Sequence, residues 1–91
     1  MSITVELAEK LDQAAAASLH AELTAQIGQP ISIDGRKVRL VGGLAAQVLL
    51  AASRRWDADG IDFELLTSEP MQSDLLRLGL GDDLLTQETQ S

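Results

Sequence analysis

Residues 38–52 read Val-Arg-Leu-Val-Gly-Gly-Leu-Ala-Ala-Gln-Val-Leu-Leu-Ala-Ala. Val38 to Val41 is β-prone, and Gly42-Gly43 stops that run. From Leu44 the spacing turns helical, with Leu44/Ala45, Val48/Leu49, Ala52 and Trp56 on one side. A strand passing through two glycines straight into a helix is half of a crossover unit, and that reading sets the fold class. Leu50 and Ala51 lie partly off the stripe, so this helix is buried on more than one face or offers apolar surface to a partner.

Upstream, Ile31-Ser-Ile-Asp34 follows Pro30 and is broken by Gly35, the pattern of a short strand. Ile3 to Leu7 alternates apolar and polar with the period of a half-buried strand. Asp12 stands before Gln13-Ala-Ala-Ala-Ala as an N-cap. The stripe Ala15/Ala16, Leu19, Leu23, Ile27 predicts a first helix that Gly28 closes. Downstream, Asp57-Ala-Asp-Gly60 reads as a turn and Ile61 to Leu66 as a strand. Ser68, with Pro70 two residues on, starts a third helix through Met71, Leu75 and Leu78, ended by Gly79. Leu80, Leu84 and Leu85 predict a final short turn or helix, and the polar residues 86–91 a frayed tail.

Strand and helix thus alternate three times. This predicts one α/β domain over residues 1–85, a mixed, mostly parallel sheet of about four strands packed against helices. Ninety-one residues is near the lower end of what folds without disulfides or metal. With two aromatics, Trp56 and Phe63, in a 45% hydrophobic chain, the core must be built from Leu, Ile, Val and Ala. There is no cysteine, which excludes disulfides and thiolate metal sites and fits a reducing cytoplasm. The N-terminal residues lack the pattern of a signal peptide, and the longest apolar stretch, Val41 to Ala52, is too short to span a bilayer.

Fourteen acids against seven bases give a net charge of −7, which argues against nucleic acid or anionic membrane as partner. Arg36, Lys37 and Arg39 form a local basic exception, read either as a solvated turn or as a patch for an acidic partner surface. The only imidazole, His20, has Ala16 and Thr24 at helical spacing and no acid placed to orient it, so no catalytic base is expected. Asp57, Asp59 and Asp62 superficially suggest a calcium loop but lack the remaining spacing and the distal Glu. No metal and no cofactor is expected. Gly42-Gly43 opens a helix whose N–H groups attract anions, yet Gly-Lys-Ser/Thr and a third glycine at dinucleotide spacing are both missing.

These segments resemble a known family. Leu11-Asp12 with the Ala-rich Leu19/Leu23 helix is similar to the Leu-Asp motif and first helix of STAS domains, small bacterial modules typified by anti-sigma factor antagonists. Val38–Ala52 resembles their signature strand–loop–helix, and Arg54-Arg55-Trp56-Asp-Ala-Asp-Gly60 the end of that helix and its turn. Phe63–Ser68 and Leu75–Leu80 are similar to the next strand and Leu-rich helix. The resemblance covers essentially the whole chain and is nearest to the compact subgroup found near chemotaxis genes and in the lipid-transport Mla system. Many relatives have two strands before the Leu-Asp, whereas here one strand is expected.

In the family this signature carries Asp-Ser-Ser-Gly or Asp-Thr-Ala-Gly, and the hydroxyl residue after the Asp is phosphorylated in partner-switching members. Aligned without gaps from Val38, Gly42 falls at the Asp and Gly43 at the phosphoacceptor, a degenerate site, while Leu44 takes the next position and Ala45 that of the Gly. Asp12 and Asp34 remain in place. The resemblance implies a non-catalytic regulatory module that binds protein through Asp34, Arg36, Lys37, Arg39, Gly42, Gly43, Leu44 and Gln47. Partners of the kind the family uses are an anti-sigma or kinase-like protein, a chemotaxis component, or a transporter ATPase. The alternatives are a small-molecule or nucleotide sensor using the helix N-terminus, or an accessory subunit of an ABC lipid transporter. A homodimer through Leu50, Ala51 and the apolar chain end is also left open.

Overall fold

The computed structural model describes residues 3–84. Its elements are β1 (Ile3–Glu6), β2 (Lys10–Leu11), α1 (Gln13–Ala25), β3 (Ile31–Gly35), β4 (Leu40–Val41), α2 (Gly43–Asp59), β5 (Phe63–Thr67), α3 (Glu69–Arg77) and α4 (Gly81–Leu84). The frayed tail expected for 86–91, and the packing expected of Leu85, lie outside the described residues.

The fold is the expected small α/β domain, with its strands divided differently. β1, β3 and β5 form a parallel three-stranded sheet in the order β1-β3-β5. β2 and β4 form a separate parallel ladder, Lys10 beside Leu40 and Leu11 beside Val41. Among the described residues there are thus five strands rather than about four, and every pairing in the two sheets is parallel. One strand, β1, lies before Leu11-Asp12, and Leu11 is itself the second residue of β2.

Alternation along the strands sorts the side chains. Val5, Ile31, Ile33 and Leu65 are buried beneath the helices. The alternate residues Thr4, Ser32 and Glu64 share one cross-strand row on the opposite face, and Glu6, Asp34 and Leu66 the next. The Ser32 hydroxyl donates to Glu64 Oε1 at 2.8 Å across that face.

α1 begins as expected, with Asp12 Oδ1 accepting the Ala15 N–H at 2.9 Å. Ala16, Leu19 and Leu23 are buried. The helix stops at Ala25, before Gly28, and Ile27 is exposed rather than on the buried stripe. α2 is longer than expected. Asp57-Ala-Asp59 continues it instead of turning, Arg55 pairs with Asp59 at 2.9 Å along the last turn, and Gly60 ends it in the left-handed region at φ 68°. Its buried stripe is wide, taking in Ala45, Ala46, Leu49, Leu50, Ala52, Ser53 and Trp56. Leu50 is therefore packed inside, which removes it from the suggested homodimer surface, while Ala51 is exposed.

Trp56 is the largest buried side chain, its indole N–H donating to the Gln29 carbonyl at 2.7 Å and its ring 6.1 Å from that of Phe63. Ser68 caps α3, its Oγ accepting the Met71 N–H at 3.1 Å and donating to the Val38 carbonyl. Among the described residues, no helix is long and apolar enough to cross a membrane.

Candidate functional site

β2 leads directly into α1 and β4 directly into α2, so the pairing of these two strands brings the two helix starts side by side. The join between β4 and α2 is the Gly42–Gly43 turn. Its backbone is held from both flanks: the Gly42 N–H donates to the Leu11 carbonyl at 2.9 Å, and the Val41 N–H donates to Asp74 Oδ2 at 2.8 Å. The Gly42 carbonyl then accepts the Ala46 N–H at 3.0 Å, closing the first turn of α2.

The two glycines have different reasons to be there. A Cβ on Gly42 would sit 2.9 Å from the Leu11 carbonyl oxygen, so the close approach of β2 and β4 requires its absence. A Cβ on Gly43 would meet nothing within 4 Å. Gly42 occupies the N-cap with no side-chain acceptor, and Gly43 is the first helical residue. Leu44 follows with 53% of its surface exposed, Gln47 is exposed one turn on, and Leu40 before the turn is 48% exposed. No residue from 40 to 52 carries a hydroxyl, so shifting the alignment by a position or two restores no phosphoacceptor.

Of the remaining residues expected at this site, Asp34 and Arg36 engage each other. Asp34 accepts the backbone N–H of Arg36 at 3.1 Å and its guanidinium through both oxygens at 3.0 Å. This forked pairing and the backbone bond hold the Asp34 carboxyl down to about 2, and raise Arg36 in turn. Asp34 alternates with the buried Ile33 and Gly35, so its side chain lies on the sheet face opposite α2. Asp34 and Arg36 thus form a closed pair. Lys37 is exposed in the following turn. Arg39 is 3.9 Å from Glu9 with both side chains exposed, a contact that water screens.

Asp74 is the residue that sequence reasoning missed. Its side chain is 10% exposed, it satisfies the Val41 N–H, and it pairs with Arg77. In the sequence it reads as a polar position on an amphipathic helix, and nothing there signals burial. His20 is exposed on α1 and lines a cleft of about 200 Å³ between α1 and α2 with Leu23, Val48 and Trp56. Two further clefts, beside Asp57–Phe63 and beside Val5–Leu11, likewise have none of Gly42, Gly43, Leu44 or Gln47 in their walls. Among the described residues, no group of three or more His, Cys, Asp or Glu side chains could hold a metal ion.

The fold and the strand–turn–helix at its centre agree with the comparison to known families. The model described as "Mlab, STAS domain" matches residues 1–86, and the chain belongs to the STAS domain family. No curated protein and no solved structure matches it.

Proposed function

We propose that this STAS domain is a non-catalytic interaction module of the cytoplasm that docks on a regulatory protein through the start of α2. The observation that carries the reading is the state of that helix start. Its backbone is pinned by Leu11 and Asp74, while Gly43 and Leu44 stand open to solvent. A rigid backbone with exposed apolar surface and no side chain over the first turn suits protein contact. In partner-switching members of the family the equivalent turn bears the phosphorylated hydroxyl. Here that hydroxyl is missing, so docking is constitutive or controlled by the partner. Classes of partner consistent with family practice are an anti-sigma or kinase-like protein, a chemotaxis component and a transporter ATPase.

The test is parallel affinity purification, from the cells that make it, of the tagged wild type and of Gly43→Asp. The reading expects a specific protein with the wild type that is depleted with the variant. Equal recovery of the same proteins by both would refute docking at this turn.

A further inference from the structure

We propose that the docking surface continues from the α2 start across β4 onto the last turn of α3, and that it selects a protein surface that is apolar with carboxylates at its edge. This rests on docking at Gly42–Gly43 and adds the second half of the surface and the chemistry of the partner.

The register of α3 against the chain beside it places the added half. Ser68 bonds to Val38, and Asp74, six residues on, bonds to Val41. Six helical residues rise about 9 Å, and three extended residues span about 10 Å. α3 therefore runs alongside residues 38–41 in the same direction, and its next turn, Arg77 and Leu78, comes level with Gly42–Gly43. The large apolar side chains left exposed among the described residues are Ile27, Leu40, Leu44, Leu76 and Leu78. By this register Leu40, Leu44 and Leu78 flank the seam and give it an apolar character.

Charge identifies the occupant. Arg77 is 70% exposed, and its inner side is fixed by the nearly buried Asp74, which presents the guanidinium outward in a set orientation. Arg39, 77% exposed and only loosely paired with the exposed Glu9 at 3.9 Å, adds a second cation beside Leu40. The seam thus shows apolar surface edged by two arginines, on a chain whose net charge is −7. A second copy is a poor match: two-fold pairing sets a patch against itself, arginine facing arginine. A partner with leucine- or isoleucine-type anchors and Asp or Glu at the rim matches both features.

The experiment is photocrosslinking of the full chain in its own cells, with p-benzoylphenylalanine replacing Leu44, Leu78 or, as a control on the open sheet face, Thr4. It is followed by titration of the captured partner against Arg77→Glu and Arg77→Gln, each checked by circular dichroism to be folded at the titration temperature. The expected result is one partner crosslinked from 44 and 78 but not from 4, through a peptide containing Asp or Glu. Arg77→Glu should weaken binding about tenfold and Arg77→Gln by less. Crosslinking from 44 without 78, or undiminished binding by folded Arg77→Glu, overturns the extension and leaves docking at Gly42–Gly43 standing. An adduct of twice the chain mass overturns the acidic partner in favour of a second copy. No adduct from 44 overturns the docking reading itself.

Discussion

The buried carboxylate of Asp74 accepts the backbone N–H of Val41 at 2.8 Å, tying α3 to the strand that launches α2. Val41 lies at the outer edge of a two-strand ladder, where no further strand among the described residues takes its N–H. Replacing Asp74 by Ala strands that donor in the core, at a cost of about 1–3 kcal/mol. Arg77→Ala removes only the exposed partner, and because Asp74 keeps its bond to the Val41 N–H it should cost less than Asp74→Ala. Urea unfolding of the two variants checks the asymmetry. Equal losses would mean that the ion pair, not the bond to Val41, carries the stability.

Gly42 and Gly43 should respond oppositely to a methyl group. Gly42→Ala forces apart the Gly42 and Leu11 backbones and should lower the melting temperature. Gly43→Ala enters open space at a residue without positive φ, so it should stabilise by about 0.4–1 kcal/mol through the unfolded chain. Thermal melts of both settle the point. A Gly42→Ala protein as stable as the wild type would remove the steric reason for that glycine.

Asp34 gives the fold a defined acid sensitivity. Its carboxyl is held to about 2 against an ordinary 3.8, chiefly by the Arg36 guanidinium. Its contribution is complete above about pH 4 and disappears as pH falls through about 2. Asp34→Asn should be less stable than the wild type at neutral pH, and the gap should close between those limits. Unfolding midpoints measured across this range test the sign. A gap that stays constant to the acid end would show that the pair adds nothing to folding.

Trp56 anchors the far end of α2. Trp56→Phe keeps an aromatic ring but removes the donor to the Gln29 carbonyl, a loss of about 0.5–1.5 kcal/mol. Trp56→Ala should cost about 3–5 kcal/mol, approaching the whole stability of a domain this small. Circular dichroism under denaturant measures both. An Ala variant no worse than the Phe variant would contradict the packing role.

The crossover pattern, the caps at Asp12 and Ser68 and the core of Leu, Ile, Val and Ala were legible in the sequence because each has a local signature. β2 was not, since two residues, Lys10 and Leu11, carry no period and are strands only by lying against Leu40 and Val41. The acid-rich end of α2 read as a turn, but the tertiary burial of Ser53 and Trp56 and the Arg55–Asp59 pair carry the helix on to Asp59. At the candidate site, the family resemblance implied that Asp34 and Arg36 join Gly42–Gly43. Strand alternation instead turns Asp34 to the opposite face. Asp74, 31 residues beyond Gly43, reaches the site only through the packing of α3.

Binding at the α2 start is tested most directly by calorimetric titration of the purified partner against the wild type and Gly43→Asp. An aspartate at the first position of a helix suits the helix dipole, so the variant should melt no lower than the wild type. It also places a carboxylate in the open space that the partner is proposed to occupy. The expected result is affinity reduced at least about tenfold with folding unimpaired. Equal affinity for the two proteins would show that the partner does not dock at this turn.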